Sequence, residues 1–125
     1  MSIELNHTIV RARDKKVSAE FIGRILGVEV SPQWGPFVPV QLSNAVTLDF
    51  MDVEGEIPSQ HYAFLVTEEE FDGIFQRIKD SGEEFYADPG FRRPGEINHN
   101  DGGRGVYFRD PDGHSMEAIT RPYGG

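Results

Sequence analysis

The chain opens on an alternation of apolar and polar residues. Ile3, Leu5, His7 and Ile9 share one face of an extended segment from Ile3 to Arg11, which predicts a first strand. The period then becomes helical. Asp14 is a suitable N-cap, Val17, Phe21, Ile25 and Leu26 form an apolar stripe, and Gly27 fits the C′ position. Three short strands are expected next, at Val28–Val30, Phe37–Leu42 and Val46–Val53, punctuated by Pro32, Gly35-Pro36 and Ser43-Asn44.

After a polar linker from Glu54 to Ser59 the pattern begins again. His61 to Thr67 reads as a strand, and Thr67 with Glu70 makes a capping box. Phe71, Ile74, Phe75 and Ile78 follow at helical spacing, and Gly82 stops the helix. Glu84 to Ala87 is a further strand, followed by a long loop from Asp88 to Gly103. The chain closes on GVYFRDPDGHSMEAIT, a hairpin whose DPDG turn uses Pro111 to pre-set φ and Gly113 to supply the positive φ.

The chain is therefore two copies of strand-helix-strand-strand-strand, one over about 1–53 and one over about 60–121, within a single domain spanning 1–125. The expected fold class is α+β. His61 lies 54 residues after His7, and Phe71 and Phe75 repeat Val17 and Phe21 at the same offset. The last strand of each copy holds one acidic residue among apolar ones: Asp49 in TLDFM and Glu117 in SMEAI. A carboxylate in an otherwise buried strand must be neutralised, paired or bound to a metal. Each copy thus offers a histidine on its first strand and a carboxylate on its last. His7, His61 and Glu117 form the expected metal-ligand set, with Asp49 beside them. Two imidazoles with one or two carboxylates suit one divalent ion of Fe, Mn, Ni, Co or Zn.

Tyr107 neighbours Glu117 across the hairpin, where its phenol either faces the metal or is half-buried core. His114 is expected to be a surface residue of the turn, facing away from Glu117. His99 lies in the long loop, which is either a lid over the site or a plain connection. Trp34 is expected to be a packing residue.

Composition narrows the function classes. A formal charge of −9 argues against a nucleic-acid or anionic-membrane partner and leaves a small-molecule substrate or a cation. The absence of cysteine removes disulfides, thiolate catalysis and Cys-type zinc sites. MSIELNHTIV has no basic region and no long apolar run, so neither a signal peptide nor a membrane span is expected and cytoplasm is the default.

The segments LNHTIV, FIGRILGVEV, VTLDFM, QHYAFLV and especially RGVYFRDPDGHSMEAI resemble the vicinal oxygen chelate superfamily, which includes glyoxalase I, extradiol dioxygenases, fosfomycin-resistance enzymes and bleomycin-resistance proteins. The resemblance implies paired βαβββ modules forming a curved, mostly antiparallel eight-stranded sheet around a metal. By motif position it implies His7, His61 and Glu117 as ligands, with Asp49 where glyoxalase I has a fourth, normally Glu. It marks Tyr107 as a substrate contact, so Glu117, Tyr107 and Asp49 are the catalytic candidates. The segment before His61 lacks the acid-base histidine of extradiol dioxygenases. A glyoxalase-like lyase or isomerase leads, an Fe(II) dioxygenase comes second and a fosfomycin-type thiol transferase third. A metal-free antibiotic-binding protein is the rival from another class. A homodimer is expected, because small relatives often build each site across two chains.

Overall fold

The computed structural model describes residues 3–122; Met1, Ser2 and 123–125, included in the expected domain, lie outside the described residues. The chain divides into two compact units, Met1–Ile57 and Pro58–Gly125. Seven strands and two α-helices are present among the described residues, which makes the fold α+β.

The first unit runs β1 (His7–Ala12), α1 (Lys15–Leu26), β2 (Phe37–Gln41) and β3 (Thr47–Asp52). Its sheet has the order β1-β3-β2, with β1 parallel to β3 and β2 antiparallel to it. The expected strand at Val28–Val30 does not form. Ser31 donates one backbone bond to Pro39, and the Val30 side chain instead packs so close to Gly23 that a Cβ there would lie 2.7 Å from it. Val30 covers the helix rather than extending the sheet.

Asp14 caps α1 by accepting from the backbone N–H groups of Lys16 and Val17, and Gly27 closes it at φ 74°. The buried face of α1 is Ser18, Ala19, Phe21, Ile22 and Ile25, which packs on β1, β2 and β3. Val17, expected in the stripe, is 54% exposed. In β1 the buried residues are Val10 and Ala12, while His7, Ile9 and Arg11 occupy the other face. The alternation has the expected period, and the core takes the set that excludes His7 and Ile9.

The second unit runs β4 (His61–Leu65), α2 (Glu68–Asp80), β5 (Phe85–Tyr86), β6 (Gly105–Arg109) and β7 (Ser115–Ile119), with sheet order β4-β7-β6-β5. Here β4 is parallel to β7, and the other two pairings are antiparallel. The capping box of α2 is complete: Glu70 N–H donates to Thr67 Oγ1 at 3.0 Å and Thr67 N–H to Glu70 Oε1 at 2.8 Å. Phe71, Ile74 and Ile78 are buried, and Phe75 meets Phe85 edge-on at 5.0 Å.

Register sorts each sheet into two faces. In the second unit Phe64, Val106, Phe108, Met116 and Ala118 lie on the core side. His61, Ala63, Tyr107, Ser115 and Glu117 lie on the other. In the first unit Val10, Val38, Val40, Leu48 and Phe50 make the core side, and His7, Ile9, Thr47 and Asp49 the other. Truncating the fully buried Phe50 or Phe108 to Ala should cost about 3–5 kcal/mol.

The register also carries the repeat. His7 pairs with Thr47, two residues before Asp49; His61 pairs with Ser115, two residues before Glu117. Pro39 stands opposite Asp49 as Tyr107 stands opposite Glu117.

Candidate metal and substrate site

The second unit brings three of the sequence-picked residues together. Glu117 is 1% exposed on β7. His61, at the start of β4, points its Nε2 at Glu117 Oε1, 3.0 Å away. Tyr107 lies directly opposite Glu117 on β6, and its ring is stacked 6.1 Å from the His61 ring. In the first unit His7 faces Asn6 Oδ1 through Nδ1 at 2.7 Å, and Asp49 is half-buried between Ile9 and Pro39. Within either unit, among the described residues, no three His, Asp or Glu side chains form a cluster that holds a metal unaided.

The donor set of the His61–Glu117 pair suits a cation. His61 Nδ1 lies 3.2 Å from both the Ser115 carbonyl oxygen and the Ser115 hydroxyl, so it either donates to the carbonyl or accepts from the hydroxyl, and Nε2 is correspondingly an acceptor or a donor toward Glu117. With the proton on Nδ1, Nε2 presents a lone pair beside the carboxylate, as two ligands of one cation do. At 3.0 Å the two atoms share either a proton or a cation. Donation of the distal N–H to a main-chain carbonyl is also how metal-bound histidines are commonly oriented.

Ser115 escaped the sequence reading. It pairs with His61 across the parallel ladder and also offers its Oγ to Nδ1 at 3.2 Å. The signal was present: Thr47 and Ser115 each stand two residues before the repeat carboxylate.

A cavity of about 510 Å³ adjoins Glu117 and Tyr107 in this unit, a size that suits a small molecule. Pro89, Asn98, Arg104 and Arg121 line it as well. The long loop is pinned rather than loose. Asn98 and Gly105 exchange two backbone bonds of 2.9 and 3.0 Å, and Asn98 Nδ2 donates to the Ala87 carbonyl at 2.9 Å. A Cβ on Gly105 would lie 2.8 Å from Asn98 Oδ1, so the close approach requires glycine there. Arg104 pairs with Glu68 and Asp72, each at 2.8 Å, and lies over the Phe71 ring. The Thr120 hydroxyl, and then Arg104, hold the Glu68 carboxyl below its usual range. His99 is exposed and lies outside the cavity lining.

His114 corrects the expectation of a surface residue: it is fully buried. It lies one residue before β7 begins, so strand parity does not place it. Asp110 is buried with it. Asp110 Oδ1 accepts from the N–H groups of Asp112 and His114 at 3.0 and 2.9 Å, while Oδ2 has no hydrogen-bond partner among the described residues. Burial is the main cause that pushes the Asp110 carboxyl above its ordinary value. Trp34 is 71% exposed and stacks on Phe37 at 6.4 Å.

The family model for the glyoxalase/bleomycin resistance protein/dioxygenase superfamily matches residues 4–118. The chain belongs to that superfamily. A solved member, the oxidase ChaP-H2, superposes with a TM-score of 0.97 at 62% identity, over 100% of this chain and 98% of that one. The glutathione transferase FosA of Serratia marcescens is 28% identical over 119 residues, 90% of this chain and 77% of the relative. A mutant of the fosfomycin resistance protein FosX from Listeria monocytogenes was solved with Mn(II) and 1S,2S-dihydroxypropylphosphonic acid. It superposes with a TM-score of 0.74 at 21% identity, over 98% of this chain and 96% of that one, a likeness of fold. Relatives in the superfamily thus include enzymes of two reaction types. No helix among the described residues is long and apolar enough to cross a membrane.

Proposed function

We propose that this chain is a divalent-metal-dependent oxidase of a small molecule carrying two adjacent oxygens. The observation that supports the metal is the His61–Glu117 pair, an imidazole nitrogen and a buried carboxylate oxygen 3.0 Å apart on neighbouring strands. The oxidase reading is favoured over the lyase by the 62% identity to an oxidase along the whole chain. His61 and Glu117 are proposed as two ligands and His7, from this chain or a second copy, as the third. A divalent metal bound there supplies Lewis acidity and open positions for substrate and O₂.

The chain's own residues supply the rest. Ser115 orients the His61 ring through Nδ1, and Glu117 brings a carboxylate whose burial strengthens its attraction to a cation. Tyr107 holds a phenol beside the pair, suited to orient a substrate oxygen or move its proton. The adjoining cavity admits the body of the substrate. A homodimer in the cytoplasm is the proposed setting.

The test loads the full chain with Fe(II), Mn(II), Co(II), Ni(II) or Zn(II) and follows oxygen uptake on catechols and α-hydroxyketones. Hemithioacetals serve as the lyase control. Metal-dependent oxygen uptake that His61→Ala abolishes supports the reading. Isomerisation of hemithioacetals without oxygen uptake restores the lyase, and failure to retain any metal removes both.

A further inference from the structure

We infer that His114 is a positioning residue that sets His61 against Glu117 through the backbone of Gln60. The geometry lies just before β4. The Gln60 N–H donates to His114 Nδ1 at 3.0 Å, Ser115 N–H donates to the Gln60 carbonyl at 2.8 Å, and Ser59 Oγ donates to the Gly113 carbonyl at 2.8 Å. Three hydrogen bonds thus tie the two residues preceding His61 to the residues surrounding His114. The imidazole does what a main-chain acceptor does further along the parallel ladder. At this point the DPDG turn reverses the partner chain, and a side chain accepts instead.

His114 is itself held firmly. Its ring is fully buried and meets Tyr62 edge-on at 5.8 Å. Its backbone N–H donates to Asp110 Oδ1 at 2.9 Å, and its carbonyl accepts from Asp110 N–H at 3.1 Å. Because Nδ1 accepts from a backbone amide, the ring carries its proton on Nε2.

Register is the reason this matters. His61 orients both ring nitrogens from β7: Nδ1 on Ser115 and Nε2 on Glu117. A slip of one residue moves His61 to the opposite face of the sheet. His114 fixes the residue before His61, and so fixes which residue of β4 faces Ser115. This inference rests on the reading of His61 and Glu117 as metal ligands for its consequence, but the positioning itself is independent of any metal.

The test uses the full chain and two substitutions. His114→Asn keeps an acceptor oxygen where Nδ1 stands, and His114→Leu keeps apolar bulk without the acceptor. Mn(II) alone is the titrant, and ¹H–¹⁵N spectra of the His61 ring report its tautomer without metal. His114→Leu is expected to weaken Mn(II) binding about 10–100-fold, the size of effect seen when a ligand's outer support is removed, and to shift the His61 ring spectra away from those of wild type. His114→Asn is expected to restore both. Wild-type metal affinity and ring spectra in a folded His114→Leu overturn the inference, as does His114→Asn matching His114→Leu. Should His114→Leu not fold, amide exchange in the wild type decides. A Gln60 N–H as protected as the core of β7 supports the role, and one that exchanges freely overturns it. A wild type that binds no Mn(II) removes the ligand reading, and the ring spectra still decide the positioning.

Discussion

Glu117 Oε1 and His61 Nε2 face each other at 3.0 Å from neighbouring parallel strands, the carboxylate buried and the imidazole 45% exposed. One member is held by the core and the other reaches solvent, so a cation entering from the exposed side meets a pre-aimed charge. Glu117→Gln tests this. The amide can donate to or accept from Nε2, so a hydrogen bond survives in either tautomer, and the fold should melt within about 4 °C of the metal-free wild type, equivalent to about 1 kcal/mol. Adding metal at about a hundredfold its Kd should raise the wild-type Tm by about 10 °C and leave the variant unmoved. An equal rise in both proteins would exclude Glu117 as a ligand.

Tyr107→Phe removes one hydroxyl beside that pair. Tm should fall by no more than about 4 °C and metal retention should stay at the wild-type level. Turnover should fall about 10²–10⁴-fold if the phenol moves a proton. Unchanged turnover in a metal-loaded variant would leave Tyr107 as packing only.

Much of this arrangement was legible in the sequence, for reasons that differ by residue. Thr67 and Glu70 announce their helix because a capping box is a local device. The DPDG hairpin is equally local. Sheet faces were harder. Ile9 and Val10 are both apolar, so composition did not decide which went inward; packing under α1 did. In β7 Met116, Glu117 and Ala118 are all buried, and alternation says little about a strand covered on both sides. Val28 and Val30 looked like a strand because short apolar runs carry no period of their own. Ser115 and His114 were missed because their roles lie in contacts with His61 and Gln60, 54 residues away in each case.

Thr67→Ala should cost about 1 kcal/mol by removing the N-cap of α2. The double variant Thr67→Ala with Glu70→Ala should cost less than the sum of the single changes, because each bond of the box supports the other. Chemical denaturation of the four proteins checks it, and strict additivity would contradict the reciprocal box.

Asp110 predicts a pH dependence. Burial raises its folded pKa above the unfolded value near 3.8, so the folded state favours the protonated form. The stability this gives is fully present below that unfolded value. It is lost as pH rises to the folded pKa, and above that the buried carboxylate is a cost. Asp110→Asn keeps the Oδ1 acceptor for Asp112 and His114 but does not ionise. The Tm of the variant relative to wild type should therefore improve as pH rises from 3 upward through this window. A difference independent of pH would show that the Asp110 proton takes no part.

Asp49 separates the chemical readings. It stands in its sheet where Glu117 stands in the other, on the face that carries His7, and is half-buried between Ile9 and Pro39. Its chain is one methylene shorter than glutamate, and Pro39 stands where the second sheet has Tyr107. If Asp49 is a fourth ligand, as in a glyoxalase-like site, Asp49→Ala should abolish proton transfer and sharply lower metal affinity. If the protein is an oxidase with three ligands, open positions are needed for substrate and O₂, and Asp49 acts by orienting a ligand. Its removal should then cost about 10–100-fold in affinity or activity without ending either. The second outcome is expected, together with a Tm within about 4 °C of wild type, because Asp49 is only partly buried. Metal titration and thermal melts run in parallel on both proteins decide it. Unchanged metal affinity with a large drop in Tm would leave Asp49 as a structural residue, and complete loss of metal would return the site to the four-ligand, lyase-like reading.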